Sequence, residues 1–112
     1  MLMDWKEFLN NTGNAFCTLG QANNELTQAV ADLGTKGNKG ALDAKTRELI
    51  ALAVAATTRC DGCISIHAAE AVKAGASREE LVEALSMSVA LNAGAAAIYS
   101  SRILEAFDQH SK

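Results

Sequence analysis

Two cysteines separated by two residues, Cys60 and Cys63, are the side chains in this 112-residue sequence best suited to chemistry. The sulfurs of a Cys-x-x-Cys pair can close a small ring with little backbone movement, so such a pair cycles between dithiol and disulfide. An N-cap at Asp61 would place Cys63 in the first turn of a following helix. The positive end of the helix dipole favours a thiolate there. The spacing therefore predicts a redox-active pair at a helix junction.

A histidine adds a proton carrier to the pair. His67 follows Cys63 by four residues and so shares its helical face, close enough to exchange a proton directly or through water. An imidazole, with an ordinary pKa of about 6.5, suits proton transfer at neutral pH. Cys60 has no such base within the helix. We therefore predict that Cys63 attacks an electrophilic oxygen or sulfur, that His67 manages its proton, and that Cys60 resolves the product to a disulfide.

A zinc site is the alternative use of the same residues. Cys60, Cys63 and His67 could supply three ligands, and the other soft ligands in the chain are Cys17 and His110. Both lie far away along the sequence, near ends that are commonly less ordered. Cys17 fits a small buried hydrophobe better, and His110 fits a solvated tail residue. A non-catalytic, zinc-stabilised or purely structural helical module thus stays open beside the redox hypothesis.

Three stretches carry a resemblance to a known family: ELIALAVAA at 48–56, CDGCISIH at 60–67 and AGASREEL at 74–81. The diagnostic pattern is a glutamate twelve residues before a Cys-x-x-Cys, with a histidine four residues after the second cysteine. Glu48, Cys60, Cys63 and His67 satisfy it. Over about residues 40–107 the chain resembles the AhpD-like branch of the carboxymuconolactone decarboxylase family.

The resemblance implies an all-helical homo-oligomer, a trimer or a hexamer built from dimers, that reduces organic hydroperoxides. It implies that Cys63 is the peroxidatic cysteine, Cys60 the resolving one, and Glu48 and His67 a proton relay. Without the resemblance, the polar start of its helix predicts that Glu48 is a surface acid. The disulfide would be recycled by a lipoylated protein or another dithiol donor, in defence against oxidants or in sensing them. No metal or organic cofactor is needed for these steps.

Two features do not follow the family pattern directly. Classical AhpD has a histidine just before the second cysteine, where this chain has Gly62, so a possible proton donor beside the thiol is missing. Twelve residues of straight helix span about 18 Å, and a simple antiparallel hairpin would place Glu48 opposite the mid-70s. Either crossed helices or a neighbouring subunit must then bring Glu48 to His67, or Glu48 is not part of the relay.

Family kinship also permits a second enzymatic activity, a lyase that decarboxylates a carboxylated lactone ring. Members with that activity need no Cys-x-x-Cys, whereas this chain has one at Cys60 and Cys63.

The elements that must position these residues are predicted to be six helices. Apolar spacing and capping residues place a short helix before residues 10–13, a second ending at Gly34, a third from Asp43 to about Thr58, and a fourth over about Cys63–Lys73. A capping box at Ser77 opens a fifth helix, and residues 92–94 separate it from a sixth. The run 49–56 and the stretch 84–101 are predicted to be buried.

Composition agrees with an all-α fold. The chain has 22 alanines, no proline and 4% aromatic residues, which excludes a β-sandwich or barrel. Residues 1–112 are long enough for a single domain. A core built of alanine buries little apolar area per residue, so a monomer of this size would be marginal. We therefore expect other subunits to supply the missing burial.

The formal net charge of −3 and the lack of a basic stripe argue against nucleic-acid binding. The first residues are acidic where a secretion signal would be basic and then apolar, and the uncharged stretch 84–101 contains four serines. We therefore expect no membrane span and a cytoplasmic location, where cysteines stay reduced unless they do redox work or bind metal.

Overall fold

The structure, a computed structural model, describes residues 2–111 and contains five α-helices and no strand within that range. The helices are α1 (Trp5–Ala22), α2 (Asn24–Lys36), α3 (Ala44–Thr58), α4 (Asp61–Lys73) and α5 (Arg78–His110). The prediction of an all-α fold is confirmed. α3 packs on both α4 and α5, while α1 packs on α4 and α2. The α3–α4 pair is therefore the centre of the chain.

Side-chain caps fix where the central helices begin and end. The Asp43 carboxylate accepts a hydrogen bond from the Thr46 backbone N–H at 2.8 Å, which starts α3 and lowers the pKa of Asp43. Ser77 and Glu80 form the predicted capping box at the start of α5. Gly75 has φ +82°, a left-handed conformation that suits glycine, and it follows the end of α4.

Three predicted helix boundaries are wrong. α1 continues through residues 10–13, α2 passes Gly34 and ends at Lys36, and the predicted fifth and sixth helices are the single 33-residue α5. Asn92 within α5 donates from Nδ2 to the Ser88 carbonyl at 2.7 Å, inside the helix. Asparagine and glycine lower helix propensity by about 1 kcal/mol or less each, and without proline the surrounding alanines outweigh that loss.

Few side chains are buried in the isolated chain. Leu52, Ala55 and Ala71 form the buried apolar core between α3 and α4, and Ser88 of α5 donates to the Ala53 carbonyl at 2.8 Å. Within one chain, 49–56 is not buried on all sides, because Ile50 and Val54 are half-exposed. The stretch 84–101 is not buried within one chain either, because every residue from 89 to 111 is exposed. Burial of both stretches by neighbouring subunits stays a prediction. These apolar faces have no neighbour within one chain.

The exposed surface and overall shape reflect this shortage of internal packing. The accessible surface of 8811 Å² is roughly 2,900 Å² more than a compact monomer of 11.7 kDa exposes. The radius of gyration is 18.4 Å, where about 13 Å is typical of a compact domain this long. By length and composition alone, α5 could also cross a membrane.

Candidate active site

The turn between α3 and α4 contains only two residues, Arg59 and Cys60. Arg59 caps α3 in the left-handed region, at φ 56° and ψ 44°. That conformation reverses the chain sharply, and Cys60 follows in an extended conformation as the N-cap of α4. The backbone N–H of Cys60 bonds back to the Ala55 carbonyl at 3.3 Å. The first cysteine of the pair is thus fixed to the end of α3.

The two cysteines form a disulfide whose Cα atoms lie 5.2 Å apart. The backbone N–H of Cys63 donates a hydrogen bond to the Sγ atom of Cys60 at 3.1 Å. Cys60, and not Asp61 as predicted, is therefore the N-cap residue, because its sulfur accepts the backbone hydrogen bond that an Asp carboxylate usually accepts at this position. Asp61 is the first residue of α4, and Cys63 still lies in its first turn.

Glu48 of α3 and His67 of α4 form a close pair within one chain. Glu48 Oε2 lies 2.7 Å from His67 Nδ1, and the two side chains are 21% and 37% exposed. A carboxylate can only accept, so this contact places a hydrogen on Nδ1 and leaves Nε2 free to take or give a proton. Side chains on a helix lean toward its N-terminus, so His67 leans over the turn that contains Cys63.

The contact between Glu48 and His67 removes the need for a neighbouring subunit there. Glu48 lies about 15 Å before the end of α3, and His67 lies about 9 Å after the start of α4. An inclination between the helices and the length of the two side chains bridge the difference of about 6 Å. Alanine at positions such as 55 and 71, buried between the helices, permits the close approach.

Gly62 lies beneath α1, a contact that sequence reasoning missed. A Cβ atom built at Gly62 would lie 3.2 Å from the Thr12 Cγ2 atom, so the Thr12 side chain would have to shift by a few tenths of an ångström to admit one. The glycine that replaces the family's histidine is therefore matched by a helix that covers the same spot. No signal in the sequence linked Thr12 to this position, because the two residues are fifty apart.

The remaining predicted ligands lie elsewhere. Cys17 is exposed on α1, contrary to the prediction that it is buried, and His110 is exposed at the end of α5. Within residues 2–111, no three His, Cys, Asp or Glu side chains converge on a point where a metal ion could bind.

An apolar hollow lies where α3, α4 and α5 meet, with a volume of about 250 Å³. All of its lining side chains are apolar: Leu52, Ala56, Ile64, Ala68, Leu81 and Leu85. Ile64 follows Cys63 in the chain, but neither cysteine nor His67 lines the hollow. The site therefore combines a disulfide with a paired imidazole, and the apolar hollow begins at the next residue of α4.

Comparison with known proteins identifies the family of the chain. The model of the carboxymuconolactone decarboxylase family matches residues 24–106. A crystal structure of an apo carboxymuconolactone decarboxylase family protein from Legionella pneumophila is 37% identical, with a TM-score of 0.72 over 96% of this chain and 97% of that one. The chain belongs to the carboxymuconolactone decarboxylase family, which includes both decarboxylases and alkylhydroperoxidases.

Two relatives match along nearly the whole sequence. An uncharacterized protein of Haemophilus influenzae is 56% identical over 108 residues, which is 96% of each chain. An uncharacterized protein of Cupriavidus necator is 34% identical over 109 residues, again 96% of each chain.

Proposed function

We propose that this chain is a thiol-dependent peroxidase of the AhpD-like type, which reduces organic hydroperoxides through a Cys60–Cys63 dithiol/disulfide cycle. The observation that carries the proposal is the 2.7 Å contact between Glu48 and His67, one helical turn from Cys63. A redox pair alone could be structural. A redox pair with an oriented imidazole has the parts that reduction of a peroxide requires.

The reaction starts from the reduced pair. His67 Nε2 takes the proton of Cys63, and the Cys63 thiolate attacks the distal peroxide oxygen. A sulfur–oxygen bond forms, the oxygen–oxygen bond breaks, and the departing alkoxide takes the proton from His67 and leaves as an alcohol. Glu48 stabilises the imidazolium that exists between the two proton transfers.

Resolution involves the second cysteine. Cys60 attacks the sulfenic acid on Cys63, hydroxide leaves and is protonated to water, and the disulfide forms. The peroxide has then gained two electrons from the dithiol. An external dithiol, which a lipoylated protein could carry, returns two electrons and restores both thiols.

The apolar hollow supports an organic substrate over hydrogen peroxide. Its 250 Å³ and its purely apolar lining suit the hydrocarbon part of a small alkyl hydroperoxide. A cytoplasmic location fits this cycle, because thiol reductants are abundant there.

The same proposal includes self-association as a trimer or hexamer. Obligate assemblies bury interfaces of about 2,000 Å² or more, which the excess surface of this chain can supply. The exposed apolar side chains of α5, such as Ile98 and Phe107, are the contacts we expect to be covered.

The activity is tested by steady-state consumption of tert-butyl hydroperoxide with reduced lipoamide as the dithiol. We expect turnover by the unmodified chain and by Cys17→Ser, and no turnover by Cys63→Ser. Full activity in Cys63→Ser would contradict the proposal. So would stoichiometric zinc in the purified protein, or turnover of a muconolactone-type substrate by a Cys60→Ser/Cys63→Ser double variant, in the absence of peroxidase activity.

A further inference from the structure

We infer that Cys60 is the standing thiolate of the pair, by which we mean the cysteine that is already ionised in the reduced pair before a substrate arrives. Cys60 is then also the leaving group when the disulfide is reduced, so an external thiol reductant attacks the sulfur of Cys63. The inference rests on the proposed function, since it assigns the two halves of the same dithiol/disulfide cycle. It adds the point of attack and the departing sulfur, which the resolving role of Cys60 leaves open.

The hydrogen bond from the Cys63 backbone N–H to Cys60 Sγ is the main observation. N–H groups in the first turn of a helix have no partner within the helix, and this one is directed at a sulfur 3.1 Å away. The bond is present while the disulfide is intact. The donor therefore already lies where negative charge develops when the sulfur–sulfur bond breaks and Cys60 departs.

The environment of Cys63 differs from that of Cys60. Among the described residues, no group donates a hydrogen bond to Cys63 Sγ, and the imidazole of His67 lies one turn further along α4. Cys60 thus has a fixed donor, which stabilises an anion permanently, while Cys63 has a base, which makes an anion when a substrate arrives. The sulfur that better holds negative charge leaves faster in thiol–disulfide exchange.

The different surroundings of the two sulfurs also account for the proposed attack of Cys63, and not Cys60, on the peroxide. An alkoxide leaving group needs a proton, and His67 lies on α4 one helical turn after Cys63. Nucleophilicity falls as a thiolate becomes more stable, so the standing thiolate is the poorer attacker of a peroxide. It is nevertheless ready to attack a sulfenic acid on Cys63 without help from a base, which Cys60 does not have.

Recycling then has a defined course. The reductant's thiolate forms a bond to Cys63 Sγ, the Cys60–Cys63 bond breaks, and Cys60 takes the electron pair. The second thiol of the reductant gives its proton to His67 and attacks the reductant's own sulfur in the mixed disulfide. Cys63 leaves with an electron pair and is protonated by His67, and the reductant has lost two electrons.

Alkylation of single-cysteine variants by iodoacetamide across pH tests the role of the N–H donor. All variants include Cys17→Ser. Cys63→Ala keeps the backbone N–H and Cys63→Pro removes it, at a first-turn position where proline is tolerated. We expect Cys60 in the Ala variant to be half-reactive at about one pH unit or more below the ordinary 8.5 of a thiol. In the Pro variant, the pH at which Cys60 is half-reactive should rise again. Circular dichroism checks that this variant keeps its helix content.

A second measurement on the Cys17→Ser chain does not depend on folding of the proline variant. The oxidised protein is treated with 2-mercaptoethanol, quenched with acid, and the mixed disulfide is located by tandem mass spectrometry between residues 60 and 63. We expect the adduct on Cys63 and a free Cys60. An adduct mainly on Cys60, or an unshifted half-point for Cys60 in Cys63→Ala, would overturn the inference. Neither experiment uses a peroxide, so these results are independent of the peroxidase test.

Discussion

The α3–α4 pair and the distal part of α5 (residues 89–111) use similar apolar residues in opposite ways. In the α3–α4 pair, Leu52, Ala55 and Ala71 are buried, and the packing brings Glu48 and His67 to 2.7 Å. In distal α5, Ile98, Ile103 and Phe107 are each more than two-thirds exposed. The first region has a buried core within its own chain, whereas distal α5 has none.

The difference indicates how so small a chain can hold a precise site. The alanines of α3 and α4 allow two helices to approach closely, and caps at Asp43 and Cys60 fix their ends. We expect the burial that this arrangement lacks to come from other subunits. Substitutions in the two regions should therefore separate cleanly, with chemistry affected in one and assembly in the other.

The largest expected effect belongs to distal α5. Ile103→Asp combined with Phe107→Asp places two charges on one helical face and removes side chains worth about 1.5–3 kcal/mol each when buried. We expect the assembly to dissociate to monomers at micromolar concentration, as measured by size-exclusion chromatography with light scattering. Ser101→Asp, on the opposite side of α5, should leave the assembly intact. A monomeric unmodified chain under these conditions would contradict the expectation of an oligomer.

The second effect belongs to the α3–α4 pair. Glu48→Gln keeps a hydrogen-bonding group beside His67 but removes the charge that stabilises an imidazolium. We expect disulfide formation by tert-butyl hydroperoxide to slow by about a hundredfold, the lower end of general acid–base contributions. The assembly and the unfolding midpoint should barely change. The matched control is Glu79→Gln, an exposed carboxyl group of α5, and equal rates in the two variants would exclude Glu48 from the relay.

A smaller effect sharpens the role of the turn between the two helices. Arg59 has a positive φ of 56°, which costs a residue with a side chain about 1–2 kcal/mol, so Arg59→Gly should stabilise the chain by about 0.5–1 kcal/mol. Arg59→Ala removes the charge but keeps the unfavourable backbone conformation, and should not stabilise it. Urea unfolding measures both. A stabilised Ala variant would show that charge, and not backbone conformation, sets the effect.

The smallest effect concerns the contact that joins α3 to the start of α5. Lys45 Nζ lies 2.8 Å from Glu80 Oε2, and Lys45 together with the Ser77 N–H lowers the pKa of Glu80 from 4.5 to about 2. A carboxyl group whose pKa is lowered by folding stabilises the fold at any pH above the pKa that it has in the unfolded chain. It loses that contribution as the pH falls toward the pKa in the folded chain. Partial exposure of both side chains keeps the effect small.

Thermal unfolding of Glu80→Gln measures this contribution. The variant should be less stable than the unmodified chain above pH 4.5, and the two should converge as the pH falls from about 4.5 to about 2. Glu79→Gln should not show this convergence. A Glu80→Gln difference that does not depend on pH would contradict the ion pair as its cause.

What the sequence could predict was set by local rules. The spacing of Cys63 and His67 predicts that they lie one turn apart on α4, and capping residues predict the starts of α3 and α5. The continuity of α5 was not predictable in this way, because Asn92 and Gly94 weaken a helix without ending it. A single residue of low helix propensity shows where a helix can end. Whether the helix does end there depends on the helix propensities of all the surrounding residues together.

The contacts that complete the site are not local. The meeting of Glu48 with His67 depends on the inclination of α3 against α4, and the cover that Thr12 gives Gly62 depends on where α1 returns. Spacing along a straight helix places Glu48 opposite the wrong residues. The sulfur cap at Cys60 was missed for a different reason, since Asp61 is the better N-cap by residue type alone.

Counting the thiols of reduced Cys17→Ser before and after one equivalent of tert-butyl hydroperoxide tests most directly whether the α3–α4 pair is a peroxidase site. We predict that both thiols are lost in one step, that a lipoyl dithiol restores them, and that Glu48→Gln in the same background loses them about a hundredfold more slowly. Retention of both thiols in the folded, assembled protein would contradict the account.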